Sequence, residues 1–160
     1  VKLSTKGRYA VTALADIALH GETGPVTVAD IAERQHISSA YLEQLFVKLR
    51  RSGIVESVRG PGGGYRLARL PEETRISDVM TAVDERLNAM GCQGRYDQGK
   101  GCGGSFEACL THGLWEELSS HVHVFLSQKT IADIIEHRVE PCQAVPRFTR
   151  FAEEANVAAP

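Results

Sequence analysis

"IVESVRGPGGGYRLAR", residues 54–69, reads as two short strands on either side of a glycine turn. Ile54 to Val58 and Tyr65 to Ala68 supply the strands, and Gly60-Pro61-Gly62-Gly63-Gly64 reverses the chain between them. Glycines there leave no side chain to obstruct the close approach of another surface. The segments before this hairpin give it a meaning. Ser38 stands where it can cap a helix reaching about Arg51, with Leu42, Leu45, Phe46 and Leu49 at the helical apolar spacing. Gly53 falls where a left-handed helix stop is expected. His36-Ile37 is a tight connection back to a short helix through Val28, Ile31 and Ala32, opened by Thr27 and Asp30 as a capping box. A first helix covers Lys6 to Leu19, with Tyr9, Ala13, Leu14 and Ile17 on one face. Helix, short helix, turn, helix, β-hairpin is the order of a winged helix-turn-helix. The expected fold is mainly α with a small β-hairpin: a winged helix-turn-helix DNA-binding domain over residues 1–88, followed by a long dimerisation helix.

Downstream of Pro71 a fourth helix is expected from Ser77, with Ile76, Val79, Met80 and Val83 facing inward. Then comes "CQGRYDQGKGCGGSFEACLTH", residues 92–112, glycine-rich and holding three of the four cysteines. A long helix should begin near Leu110 and carry Leu114, Trp115, Leu118, Val122, Phe125 and Leu126. That stripe extends too far for one small domain to cover, which favours self-association through this helix over its packing back on its own chain. Thr130 and Asp133 mark another capped helix, so residues 110–137 read as a dimerisation helix and its successor. The remainder, 138–160, ends "EEANVAAP" and is expected to be a mobile tail.

A chain of 160 residues with 42% hydrophobic and 24% charged residues is that of an ordinary folded domain with appendages. No apolar run approaches membrane-spanning length, and no signal-peptide pattern opens the chain. The expectation is a cytoplasmic protein, where cysteines stay reduced and serve metals or redox chemistry. The net charge of −2 conceals an asymmetry. Residues 1–70 carry ten Lys/Arg against six Asp/Glu, and the rest carry eight against fourteen. The basic half is the one that could face a polyanion.

On the third helix the apolar residues point inward, which leaves Ser39, Ala40, Glu43, Gln44, Val47 and Lys48 outward, with Ser38 and Tyr41 in its first turns. A recognition helix meets DNA with its N-terminal part. Small hydroxyl side chains permit close approach, Gln44 can pair bidentately with adenine, and Glu43 can accept from cytosine while repelling phosphate. In the wing, Arg59 beside Gly60, Pro61, Gly62 and Gly63 could enter a minor groove, whose negative potential attracts guanidinium. Lys2, Lys6 and Arg8 are candidate phosphate contacts.

Taken by residue type alone, Cys92, Cys102, Cys109 and His112 suit zinc as well as an iron–sulfur cluster. A Cys109–His112 nucleophilic enzyme is a rival of another class, without a legible orienting group. "KGRYAVTAL", "YLEQLF", "SVRGPGGGY" and the Cys-Leu-Thr-His end of the loop together resemble the IscR-type iron–sulfur-cluster-binding winged-helix regulators. The resemblance covers about Lys2 to Ile135. It implies a homodimer, no catalytic activity, and a 2Fe–2S cluster held by Cys92, Cys102, Cys109 and His112. It further implies repression of the genes for cluster assembly, with Glu43 governing which class of DNA site is bound when the cluster is absent. A relative of the same fold that detects nitric oxide through a cluster, and a zinc-stabilised DNA-binding protein, are the alternatives. Nine residues separate Cys92 from Cys102 and six separate Cys102 from Cys109, spacings longer than is usual in that family. The departure bears most on Cys102, and Cys142 lies outside the motif.

Overall fold

A computed structural model of the chain describes residues 3–85, 87 and 111–140. Helix α1 spans Thr5–His20, α2 Val28–Gln35 and α3 Ser39–Arg51, followed by strands β1 (Val55–Val58) and β2 (Gly64–Leu67). Helix α4 covers Ile76–Ala82, α5 His112–Ser127 and α6 Ile131–Ile135. The two strands pair antiparallel, with Val55 opposite Leu67 and Val58 opposite Gly64. A mainly helical fold with a β-hairpin wing is therefore what the chain adopts.

Local chemistry accounts for the boundaries. Ser4 precedes α1 in extended conformation and its hydroxyl accepts from the Lys6 amide at 3.2 Å, satisfying a donor that the first turn leaves free. Thr27 Oγ1 accepts from Asp30 N at 3.1 Å, but the Asp30 carboxylate takes the Thr27 hydroxyl rather than its amide. The capping box expected there is half-formed. The complete reciprocal box is at Thr130 and Asp133. His36 closes α2 in the left-handed region at φ 54°, so the helix-turn-helix corner is made without a glycine. Gly53 makes the corner after α3 at φ 67°.

The core is assembled from Ala10, Ala13, Leu14 and Ile17 of α1, Leu42, Leu45, Phe46 and Leu49 of α3, and Ile76, Val79 and Met80 of α4. Ile131 and Ala132 of α6 are fully buried in it as well. Ile76 N donates to Lys129 O at 2.9 Å and Ile131 N to Thr74 O at 3.0 Å, so the chain beyond α5 returns to complete the hydrophobic interior of the winged helix. Gly7 permits the tight crossing of α1 and α4, since a Cβ there would lie 2.6 Å from the Met80 sulfur.

A polar clamp joins α1 to α2. Asp16 is 1% exposed, and its carboxylate accepts Arg34 Nε at 3.1 Å, Arg34 Nη2 at 2.6 Å and Gln35 Nε2 at 2.7 Å. Burial opposes its ionisation, but the bonds from Arg34 and Gln35 and the Arg34 charge outweigh burial and hold the carboxyl below its ordinary range. Among the described residues, no buried polar side-chain atom lacks a hydrogen-bond partner.

Candidate nucleic-acid interface

Helix α3 sits with its apolar face in the core and its opposite face free. Leu42, Leu45, Phe46 and Leu49 are buried, while Ser38, Ser39, Ala40, Glu43, Gln44 and Val47 are exposed, as the spacing predicts. Ser38 occupies the capping position, yet its hydroxyl makes no capping hydrogen bond. That hydroxyl remains available at the positive end of the helix. Tyr41 is half-buried rather than free. Its ring meets Tyr9 edge-on at 5.8 Å and its hydroxyl lies 3.4 Å from Thr5 Oγ1, so it braces the first turn of α3 against the start of α1.

The wing is fastened to α3 from behind. Tyr65 of β2 packs against Phe46 with ring centroids 4.6 Å apart, and its backbone exchanges hydrogen bonds with Val26 at 2.7 and 2.9 Å. Arg59, Gly60, Pro61 and Gly62 are exposed at the tip and Gly63 is partly covered. Gly63 N donates to Gly60 O at 2.9 Å, closing the turn. Arg8 is exposed on α1; Lys2 lies outside the described residues.

Lys48 is engaged within the protein. Its Nζ lies 2.8 Å from Asp84 Oδ2, and Lys6 Nζ donates to the Asp84 carbonyl at 2.9 Å. Next to it, the Glu85 carboxylate accepts from Ser4 N at 3.0 Å, Gly7 N at 3.1 Å and the Ser4 hydroxyl. Burial works against charge on Glu85, and these bonds overcome it, leaving the carboxyl below its usual range. Sequence reading missed both residues, as it missed Asp16. An acid directly after Val83, where the apolar pattern of the fourth helix stops, was the available signal for Asp84.

Helix α5 keeps much of its apolar stripe in solvent. Leu114, Trp115, Leu118 and Phe125 are 60%, 41%, 38% and 52% exposed, and Val122 is half-buried. Cys92, Cys102 and Cys109 lie outside the described residues, as does Cys142; the backbone of His112 opens α5, and its side chain is not described.

Comparison with known proteins fits this arrangement. A family model described as Rrf2, iron-dependent transcriptional regulator, matches residues 3–137. The chain belongs to the Rrf2 family. The HTH-type transcriptional regulator IscR of Cereibacter sphaeroides is 52% identical over 160 residues, covering 96% of this chain and 99% of the relative. Among solved structures, T. potens IscR superposes with a TM-score of 0.68 at 35% identity, covering 94% of this chain and 96% of that one. CymR, the global cysteine regulator of B. subtilis, gives 0.69 at 28% identity, covering 86% and 98%. This Rrf2 protein is a DNA-binding transcriptional regulator of the IscR type, and its winged helix is the fold of its relatives. No helix among the described residues is long and apolar enough to cross a membrane.

Proposed function

We propose that this Rrf2 regulator is a cytoplasmic homodimer whose choice of DNA sites depends on a 2Fe–2S cluster held by Cys92, Cys102, Cys109 and His112. Its targets would be the genes of cluster assembly, which it mainly represses. The single observation carrying the reading is that a Cys₃His donor set occupies the stretch of sequence joining the winged helix to α5. On one side Glu85 is bonded to the start of α1, and on the other His112 begins α5. Thiolates are the ordinary ligands of iron–sulfur clusters and imidazole is a known replacement, so the donor chemistry fits the group. When bound, the cluster supplies a covalent tie among residues far apart in sequence and a redox-active, labile centre.

The protein's own residues perform the reading of DNA. Ser38, Ser39 and Ala40 present a small, polar helix start to the backbone and base edges, and Gln44 offers a bidentate amide to adenine. Glu43 rejects sites that offer no donor to its carboxylate. Arg59 extends from the wing. The apolar face of α5 would be covered by the same helix of a second subunit, placing two recognition helices on one duplex.

Anaerobic purification should give a coloured protein with iron and sulfide in equal amounts, and replacing Cys92, Cys102 and Cys109 by Ala should abolish both. Binding selected from a random DNA pool should then move to a different site class, and Glu43→Ala should restore the sites lost. A colourless protein holding zinc, or an unchanged site preference in the cysteine variant, would refute cluster control. For the dimer, Leu118→Glu and Phe125→Glu should each convert the sedimenting species to a monomer. A wild-type protein that sediments as a monomer would remove the proposed role of α5.

A further inference from the structure

The turn after α4 gives one residue an unusual pair of attachments. Asp84 adopts φ 55°, with its amide bonded to Thr81 O at 3.1 Å and the Glu85 amide bonded to Met80 O at 2.9 Å. This left-handed corner turns Glu85 toward α1 and Asp84 outward, toward α3. The Asp84 side chain is 76% exposed, yet its carboxylate meets Lys48 Nζ at 2.8 Å and its carbonyl accepts from Lys6 Nζ at 2.9 Å. Two cations from different elements thus converge on one residue, only Lys48 reaching its carboxylate. Lys48 belongs to the outward side of α3, and its side chain is 41% exposed.

A carboxylate oxygen bound to a lysine ammonium resembles a DNA phosphate oxygen in charge and in bonding. Both are oxyanions that pair with an ammonium, and Lys48 holds Asp84 below its ordinary range, first through the hydrogen bond and then through charge. We propose that Asp84 is an internal competitor of the DNA backbone for Lys48, withholding one phosphate contact and so lowering affinity for every sequence alike. The inference rests on the reading of α3 as the DNA-facing helix. Such a device suits a regulator that must leave random DNA: it weakens the part of binding that carries no sequence information, while Gln44 and Glu43 are untouched.

Asp84→Asn isolates the charge. Asparagine accepts the left-handed region, so the corner should survive. Its backbone carbonyl still holds Lys6, which confines the effect to one cation. The probe is a fluorescein-labelled random-sequence duplex titrated with the full chain at several salt concentrations. Asp84→Asn should tighten binding about two- to fivefold, the scale of one exposed ion pair. The slope of log affinity against log salt should steepen by about 0.9, the value of one added phosphate contact. Adding Lys48→Met should erase the whole gain, whereas Lys48→Met alone should change little. Asp84→Gly, which relaxes the corner and also removes the charge, should repeat the tightening if the asparagine variant folds poorly.

Ser39→Glu separates the two possible failures. It places a negative charge at the start of α3 and should weaken the same titration. If Ser39→Glu weakens binding while both Asp84 variants leave affinity and slope unchanged, the competition is refuted and the DNA-facing role of α3 stands. If Ser39→Glu also has no effect, the assignment of α3 itself falls, and the inference with it.

Discussion

Replacing Arg34 by methionine should destabilise the fold by about 1–3 kcal/mol, the usual cost of leaving a buried polar group without its partner. The cause is the carboxylate left behind. Asp16 has no exposed side-chain surface, and Arg34 gives it two of its three shortest hydrogen bonds. Gln35 at 2.7 Å and His20 at 3.6 Å would remain, neither replacing a fixed positive charge. The reverse deletion, Asp16→Ala, should cost less because the Arg34 side chain is already 35% exposed and can turn to water. Urea unfolding of the three proteins at neutral pH tests the order. An Arg34→Met protein as stable as wild type would show that the clamp is not an important source of stability.

The pH dependence gives a second signature of the same pair. In the wild type the folded carboxyl lies below its unfolded value of about 3.9. Its stabilisation is therefore complete above that pH and declines as pH falls through the folded value. In Arg34→Met, burial loses its main opponent, so the folded pKa should rise above the unfolded one. The variant should then gain stability on acidification from neutrality toward pH 4, opposite in sign to the wild-type contribution. Adding Asp16→Asn should remove that slope and recover part of the loss, because a neutral amide is far cheaper to bury than an unpaired carboxylate.

The clamp also marks where reading along the chain reaches its limit. Periodicity located α1 and α3, and the start of α4, to within a residue or two, because each buries an apolar stripe at helical spacing: Ala, Leu and Ile in α1, Leu and Phe in α3, Ile, Val and Met in α4. Asp16 falls three residues after Ala13, inside the buried stripe of α1, and that charged interruption was the available clue. Its partner is 18 residues away, a distance that helical spacing does not address. The same holds for α6. The capping box at Thr130 announced the helix, but its burial among α1 residues follows from a tertiary bridge, Arg75 to Thr130, which no local pattern encodes. Outward residues of α3 were legible because the inward ones were. Lys48 was legible as outward but not as paired, since Asp84 arrives from the turn after α4. Cys92, Cys102 and Cys109 were singled out by residue type and by family motif, and they lie outside the described residues.

Gly64→Ala is expected to unseat the wing. A Cβ at residue 64 would lie 2.5 Å from the Val26 carbonyl oxygen and 2.7 Å from the Val26 carbonyl carbon. Both are backbone atoms with no rotamer to yield, so β2 must move away. Tyr65 would then lose its two bonds to Val26 and its seat on Phe46. Overpacking of this kind costs about 1–3 kcal/mol. Each broken bridge bond adds about 1 kcal/mol. Gly53→Ala is the informative control. Space around Gly53 is open, so its only penalty is the left-handed φ of 67°, about 1–2 kcal/mol, with the β2 attachment intact and no change at the wing tip. Both variants are therefore destabilised, but only Gly64→Ala displaces Arg59 relative to α3. If the wing reads DNA, Gly64→Ala should lose about tenfold or more in affinity at a temperature where both variants remain folded. Gly53→Ala should stay close to wild type under the same conditions. Equal affinities for the two would mean that the glycine turn serves folding and that Arg59 makes no contact with DNA.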